Sequence, residues 1–186
     1  YSGSIKSTKA LEFGKHLRIP SVGATLEKDG SVKGSFELEI INIKNLKNAV
    51  LAQSRIVYLN KNGVTLTPGT NDARTNRSTI ARQQTTIPAW NVSATTWTAT
   101  VNCMKEIFAP FDIQIVEADP GNVPHIEAVF GGSPQQLGMG PNVAGVSPFT
   151  TDCSIIQNSI VFTFTNVIPQ DARLACEIQA QEVAHS

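Results

Sequence analysis

Ser159-Ile-Val-Phe-Thr-Phe-Thr165 is followed along the chain by a segment that starts near Ala172 and ends Gln181-Glu182-Val183-Ala184-His185. The first stretch is rich in β-branched and aromatic residues, which predicts a buried strand. In the second, four residues recur at spacings of four, three and four, which predicts a helix carrying them on one face: Leu174, Ile178, Gln181 and His185. Pro169 and Asp171 suit the first turn of that helix. A strand leading into a helix indicates a mixed α/β fold.

A second helix is predicted earlier in the chain, where apolar residues again recur at spacings of four, three and four: Trp97, Val101, Met104 and Phe108. Asn91 or Ser93 can cap its start, and Pro110 ends it. Strands are predicted at 56–60, 112–117 and 125–130. The intervening stretch 67–87 is polar with few large apolar side chains, which predicts a surface loop. This order predicts one α/β (α+β) domain over residues 54–186.

Residues 1–53 are predicted to be a separate, small β-rich unit. Apolar and polar residues alternate from Val32 to Ile40, which indicates a strand with one buried face. Ser21 to Leu26 is a suitable antiparallel partner, with Asp29-Gly30 as the turn between the two strands. We interpret this unit as an accessory segment or a pro-segment that precedes the main domain.

Composition excludes some classes of partner. The chain has 186 residues, with 15 basic and 15 acidic side chains and a formal net charge of zero. A neutral surface does not attract nucleic acid by bulk charge, and no apolar run is long enough for membrane insertion. Only 16% of the residues are charged, below the usual proportion of about 25%. Neutral polar residues take their place, which favours a secreted or extracellular protein, including the periplasm or the cell surface.

Three cysteines leave several pairings open: Cys103, Cys153 and Cys176. Cys153 and Cys176 stand before and after the strand at 159–165, so a disulfide between them is one candidate. Cys103 is then a buried thiol or pairs with a partner beyond Ser186. The alternative is that all three are free and buried.

The helix at the end of the sequence carries the zinc-peptidase pattern H-E-x-x-H, except that Gln181 replaces the first histidine. Residues four apart share a helix face, so two imidazoles in this pattern hold one metal ion. A glutamate beside the first ligand takes a proton from the metal-bound water. Gln181 offers a weak amide oxygen instead, and an ordinary polar helix face is the alternative interpretation. His125, which begins a predicted strand, is interpreted as a hydrogen-bonded histidine at the surface or at a sheet edge.

Taken in order, these segments resemble the metzincin clan of zinc peptidases, and more closely its secreted, matrixin-like bacterial members. The resemblance covers about 130 residues and rests on these segments: Arg55–Asn60, Trp97–Phe111, Asp112–Glu117, His125–Gly132, Gly145–Pro148, Ser159–Phe164 and Ala180–His185. It implies an N-terminal subdomain made of a twisted mixed sheet and two main helices. In that clan a glycine turn, a third histidine and a methionine turn follow the motif.

The resemblance also implies a function. It makes the protein part of a secreted zinc-dependent endopeptidase acting on a protein or peptide substrate, with Glu182 as the general base and His185 as a metal ligand. Gln181 occupies a ligand position without the expected imidazole, and the motif's third ligand is missing from the sequence. We therefore expect a chain that is truncated within the active-site helix and inactive. The alternative is a catalytically inactive, peptidase-like module that binds protein or surface ligands.

Overall fold

The computed structural model describes residues 55–186 except Cys153, together with the backbone of four strands in the preceding segment. The chain divides into two compact units, Tyr1–Gln53 and Ser54–Ser186.

The first unit contains two antiparallel strand pairs. Strand β2 (Val22–Leu26) pairs with β3 (Val32–Phe36), with Val22 opposite Phe36 and Leu26 opposite Val32. Strand β1 (Lys15–Arg18) pairs with β4 (Glu39–Asn42). The pairing of β2 with β3 agrees with the predicted hairpin, whose Asp29-Gly30 turn lies outside the described residues. The single strand predicted from Val32 to Ile40 is wrong, because its two ends belong to β3 and β4, which pair with different strands. The accessory or pro-segment role of this unit stays a prediction.

The second unit is built around a five-stranded sheet. Its strands are β5 (Arg55–Asn60), β9 (Ile113–Val116), β10 (His125–Phe130), β11 (Gly145–Val146) and β12 (Ile160–Thr163). They lie in the order β11-β12-β10-β5-β9. All neighbouring strands are parallel except β11, which runs antiparallel to β12 along one edge. β10 is central, and all six of its residues are buried.

Both helices cover one face of this sheet. Helix α1 (Ala94–Phe108) begins at Ser93, whose hydroxyl accepts from the backbone N–H of Thr96 at 3.1 Å. Helix α2 (Ala172–His185) begins at Asp171, whose carboxylate accepts from Leu174 N–H at 2.7 Å. The apolar faces of both helices meet one core cluster with the sheet residues Val57, Leu59, Ile126, Ala128, Phe130 and Val161. The mixed α/β architecture with two helices is therefore confirmed.

The opposite face is covered by a second layer that includes much of the segment 67–87. The prediction of a surface loop there is correct for its exposure, since most of these residues are exposed, but wrong in leaving out strands that pack on the sheet. Strands β6 (Val64–Pro68), β7 (Arg77–Ser78) and β8 (Thr85–Ile87) form a small sheet in the order β7-β6-β8. Its fully buried Leu66 and Ile87 join the β12 residues Ile160 and Phe162 in a second core cluster. The segment has too few apolar residues to show a period, but those few reach the sheet.

A disulfide joins the two helices. Cys103 of α1 pairs with Cys176 of α2, with the Cα atoms 6.1 Å apart. This pairing makes the candidate Cys153–Cys176 disulfide wrong, and also the alternative that all three cysteines are free. Cys153 itself lies outside the described residues. The physical reason is that α1 and α2 lie side by side on the same sheet face, which brings two inward-facing positions within disulfide reach. The order of cysteines along the chain does not show this proximity.

Removing this disulfide should destabilise the second unit. The two cysteines are 73 residues apart in sequence, and closing a loop of that length restricts the unfolded chain by about 4 kcal/mol in the chain-entropy model. We expect the Cys103→Ala/Cys176→Ala variant to lose up to that free energy of unfolding in equilibrium urea denaturation. A reducing agent should destabilise the wild type similarly and leave the double variant unchanged. A variant as stable as the oxidised wild type would contradict the pairing.

Candidate functional site

The last two turns of α2 carry the residues singled out from the sequence. Gln181 and His185 are exposed, whereas Glu182 is half-buried at the border between the exposed and buried faces of the helix. Ala180 and Val183, on the opposite side, are buried in the core cluster between the two helices and the sheet. The local sequence explains this orientation, because the apolar residues turn α2 so that the motif faces outward along one edge.

Glu182 lies directly against the edge strand β11. A Cβ added to Gly145 would stand 2.7 Å from Glu182 Oε1, 2.9 Å from Glu182 Cγ and 2.8 Å from Ile178 Cγ2. Only glycine therefore fits at position 145 unless Glu182 or Ile178 moves. Ser147, just beyond β11, lies near the Glu182 carboxylate and favours its charged form. The surroundings of Glu182 therefore include both the strand and the loop that follows it.

This environment alters the acidity of Glu182. Burial raises the pKa of the Glu182 carboxyl above its usual value, and the nearby His185 and Ser147 partly offset that rise. A carboxylate whose pKa lies closer to neutral pH is a better general base, because it accepts a proton more readily. Glu182 is therefore suited to accept a proton at this site.

The donors on α2 do not fit the zinc site that the resemblance implies. Such a site uses three protein ligands, whereas this helix offers the imidazole of His185 and the amide oxygen of Gln181. Within residues 55–152 and 154–186, no three His, Cys, Asp or Glu side chains lie close enough together to hold a metal ion. Zinc binding therefore stays a prediction.

A cavity of about 510 Å³ opens beside Gln181, on the side of α2 away from Glu182. Its walls are mainly apolar and come from the end of α1, the start of β9 and the end of α2, including Phe108, Ile113 and Val183. Phe111 also lines it, with 61% of its surface exposed. Neither Glu182 nor His185 lines this cavity, so it is separate from the carboxylate.

No model of a known protein family matches the chain, and no curated protein or solved structure does either. Because nothing matches, the metzincin-like assignment remains a prediction.

Neither helix of the described part of the chain is long and apolar enough to cross a bilayer.

Sequence reasoning found Gln181, Glu182 and His185 but missed the residues around them. It gave no role to Gly145 or Ser147, which meet Glu182 only because β11 lies beside α2.

The sequence predicts His125 at the surface or at a sheet edge, and this prediction is wrong, because His125 is 2% exposed in the central strand. Its hydrogen bonding was interpreted correctly, since ring Nδ1 lies 2.7 Å from the Val123 carbonyl oxygen.

The close approach of Glu182 to β11 makes Gly145→Ala a sharp test of the site. The added methyl group would overlap Glu182 and Ile178, and relieving such overlap typically costs about 1 to 3 kcal/mol. We expect that loss in the free energy of unfolding, together with a changed Glu182 carboxyl resonance in NMR spectra.

The matched control is Gly140→Ala, because nothing lies within 4 Å of a Cβ at that position. It should leave both readouts nearly unchanged. Equal stability of the two variants would mean that Glu182 does not lie against β11.

Proposed function

We propose that residues 54–186 are the first part of an exported, zinc-dependent endopeptidase of metzincin-like type, whose site centres on Glu182. The observation that carries this proposal is the position of Glu182, half-buried against an edge strand between the exposed Gln181 and His185. The resemblance from Arg55 to His185 supports it, as does a mixed sheet with two helices on one face. Export to the cell surface, the periplasm or the medium is part of the proposal and rests on the low charge content.

In this proposal Glu182 is the general base that takes a proton from the water attacking a peptide carbonyl. The pKa of its carboxyl, raised by burial, suits that role. His185 and Gln181 would face the metal that the family uses, but the donors of α2 do not complete a zinc site. We therefore propose that this chain does not hydrolyse peptides by itself.

An extended peptide is the substrate that the surroundings of Glu182 favour. Within the described residues no strand pairs with the outer edge of β11, and a free edge can bind a peptide by main-chain hydrogen bonds. The loop that follows β11 exposes two large apolar side chains, Phe149 at 77% and Ile155 at 65%. Such side chains can contact apolar groups of a bound protein or peptide.

The alternative is a peptidase-like module that binds protein or surface ligands without cleaving them. Gln181 is the specific feature in its favour, because replacing an imidazole by an amide oxygen removes a zinc ligand and leaves the helix face intact. The edge of β11, unpaired among the described strands, and the exposed Phe149 serve this function equally well.

Restoring the missing histidine tests whether α2 is placed for a metal site. Gln181→His puts two imidazoles four residues apart on an exposed helix face. We expect it to bind Zn²⁺ at least about tenfold more tightly than the wild type in competition with a chromophoric chelator.

Ala184→His is the matched control, since it also adds one exposed imidazole on the same turn, but beside His185 in sequence rather than four residues away. It should bind Zn²⁺ much more weakly than Gln181→His. If the control binds as tightly, helix geometry does not select the metal.

Peptidase activity is tested separately, by casein hydrolysis in the presence of Zn²⁺. The incomplete donor set leads us to expect the same background rate from the wild type and from Glu182→Ala. Turnover by the wild type that Glu182→Ala abolishes would show that the chain is a working peptidase, and would make our proposal of inactivity wrong.

A further inference from the structure

Glu127 is a carboxyl group buried in the middle of the central sheet, far along the chain from the α2 motif. It belongs to β10 and is 3% exposed. Side chains alternate along a strand, so Glu127 shares the face of Val129, which belongs to the core cluster under β6, β7 and β8. Oε1 accepts a hydrogen bond from Asn60 Nδ2 at 2.7 Å. Oε2 is buried and has no hydrogen-bond partner among the described residues.

Asn60 connects this carboxyl group to the turn that leads into the second layer. Its Nδ2 also donates to the Gly63 carbonyl oxygen at 3.1 Å, and its Oδ1 accepts from Asn62 N–H at 2.8 Å. The turn itself is tightly fitted, since a Cβ at Gly63 would lie 2.5 Å from the Ile87 carbonyl oxygen at the end of β8. One amide side chain therefore joins β10, the 61–63 turn and the start of β6.

The surroundings of Glu127 contain few opposing charges. Tyr58 and His125 share its face on β5 and β10, with their ring centroids 6.2 Å apart. A short 3-10 turn at Ala73–Thr75 lies against β10; beside it, Arg74 pairs with Asp72 at 2.8 Å. Among the described residues, Asp119 also acts on Glu127, and its field disfavours a second negative charge.

We propose that Glu127 and Asn60 form a proton-controlled latch that fastens the β6–β8 layer to the central sheet. While Glu127 is protonated, the carboxyl group is neutral and the hydrogen bonds of Asn60 hold the turn in place. When Glu127 loses its proton, a charge with one unpaired oxygen lies between two apolar layers. Burying such a charge is costly, so local opening that admits water at the 60–63 turn becomes more favourable.

The direction of the pH effect follows from the two protonation equilibria. Burial raises the pKa of Glu127 from 4.5 to about 7, with the Asn60 hydrogen bond opposing the shift and Asp119 adding to it. Because the folded-state pKa is above the unfolded one, this stabilisation is complete below about pH 4.5 and is lost as the pH rises through about 7. Between about pH 5 and about pH 8.5 the opening equilibrium constant should rise by up to about 70-fold.

Hydrogen exchange measured by mass spectrometry tests the latch on the whole chain. After correction for the intrinsic pH dependence of exchange, protection of Val64–Pro68 and Thr85–Ile87 should fall by up to about 70-fold across that pH range. Protection of α1 should change far less. Glu127→Gln, which keeps the shape but cannot ionise, should abolish the pH dependence in the layer. Glu182→Gln, which removes a different carboxyl group, should preserve it.

A direct titration keeps the test decisive if Glu127→Gln does not fold. In wild-type protein labelled with ¹³C at glutamate, the Glu127 carboxyl resonance should titrate near pH 7 and move together with the amides of Asn62 and Gly63. The latch is excluded by any of three results: a midpoint near the usual glutamate value, an unchanged pH response in Glu127→Gln, or equal loss of protection in α1. None of these results bears on the peptidase-like proposal for α2.

Discussion

A sheet whose strands run mostly parallel is stable in water only when both of its faces are covered, and this requirement organises the second unit. β10 shows it most clearly, since every residue of the strand is buried. Helices α1 and α2 cover one face, and the small sheet of β6, β7 and β8 covers the other. The helices place the candidate site at the edge of the sheet, and the small sheet of β6, β7 and β8 encloses Glu127.

The position of α2 on the sheet is set by contacts along its length. The disulfide from Cys176 ties its middle to α1, and the buried Gln179 accepts a hydrogen bond from Thr163 of β12. At its end, the Ser186 hydroxyl accepts from that of Ser159 at 2.8 Å. These contacts prevent the helix from sliding along the sheet, so Glu182 meets β11 at Gly145, where a side chain would collide.

The carboxyl groups of Glu182 and Glu127 lie in different surroundings. Burial raises the pKa of both Glu182 and Glu127, but only Glu182 is partly exposed to solvent, and it lies beside the edge of β11 that no described strand pairs with. Such a group can exchange protons with a bound substrate or with water. Glu127 is enclosed between two layers, so its protonation acts on the attachment of the layers rather than on a ligand.

Local pattern in the sequence was enough to predict both helices, Ser93 as one of two candidate caps for α1, and the strands at β5, β9, β10 and β12. It also placed the Gln181-Glu182-x-x-His185 motif on α2. Periodicity and capping depend only on residues close to one another in sequence, so they can be recognised without the tertiary structure. The β6–β8 layer, the Cys103–Cys176 pairing, the fit of Glu182 against Gly145 and the burial of Glu127 were decided only by tertiary structure. Each depends on which segments, far apart in sequence, the covered sheet brings into contact. The spacing of residues along the chain does not show which segments will be close in space.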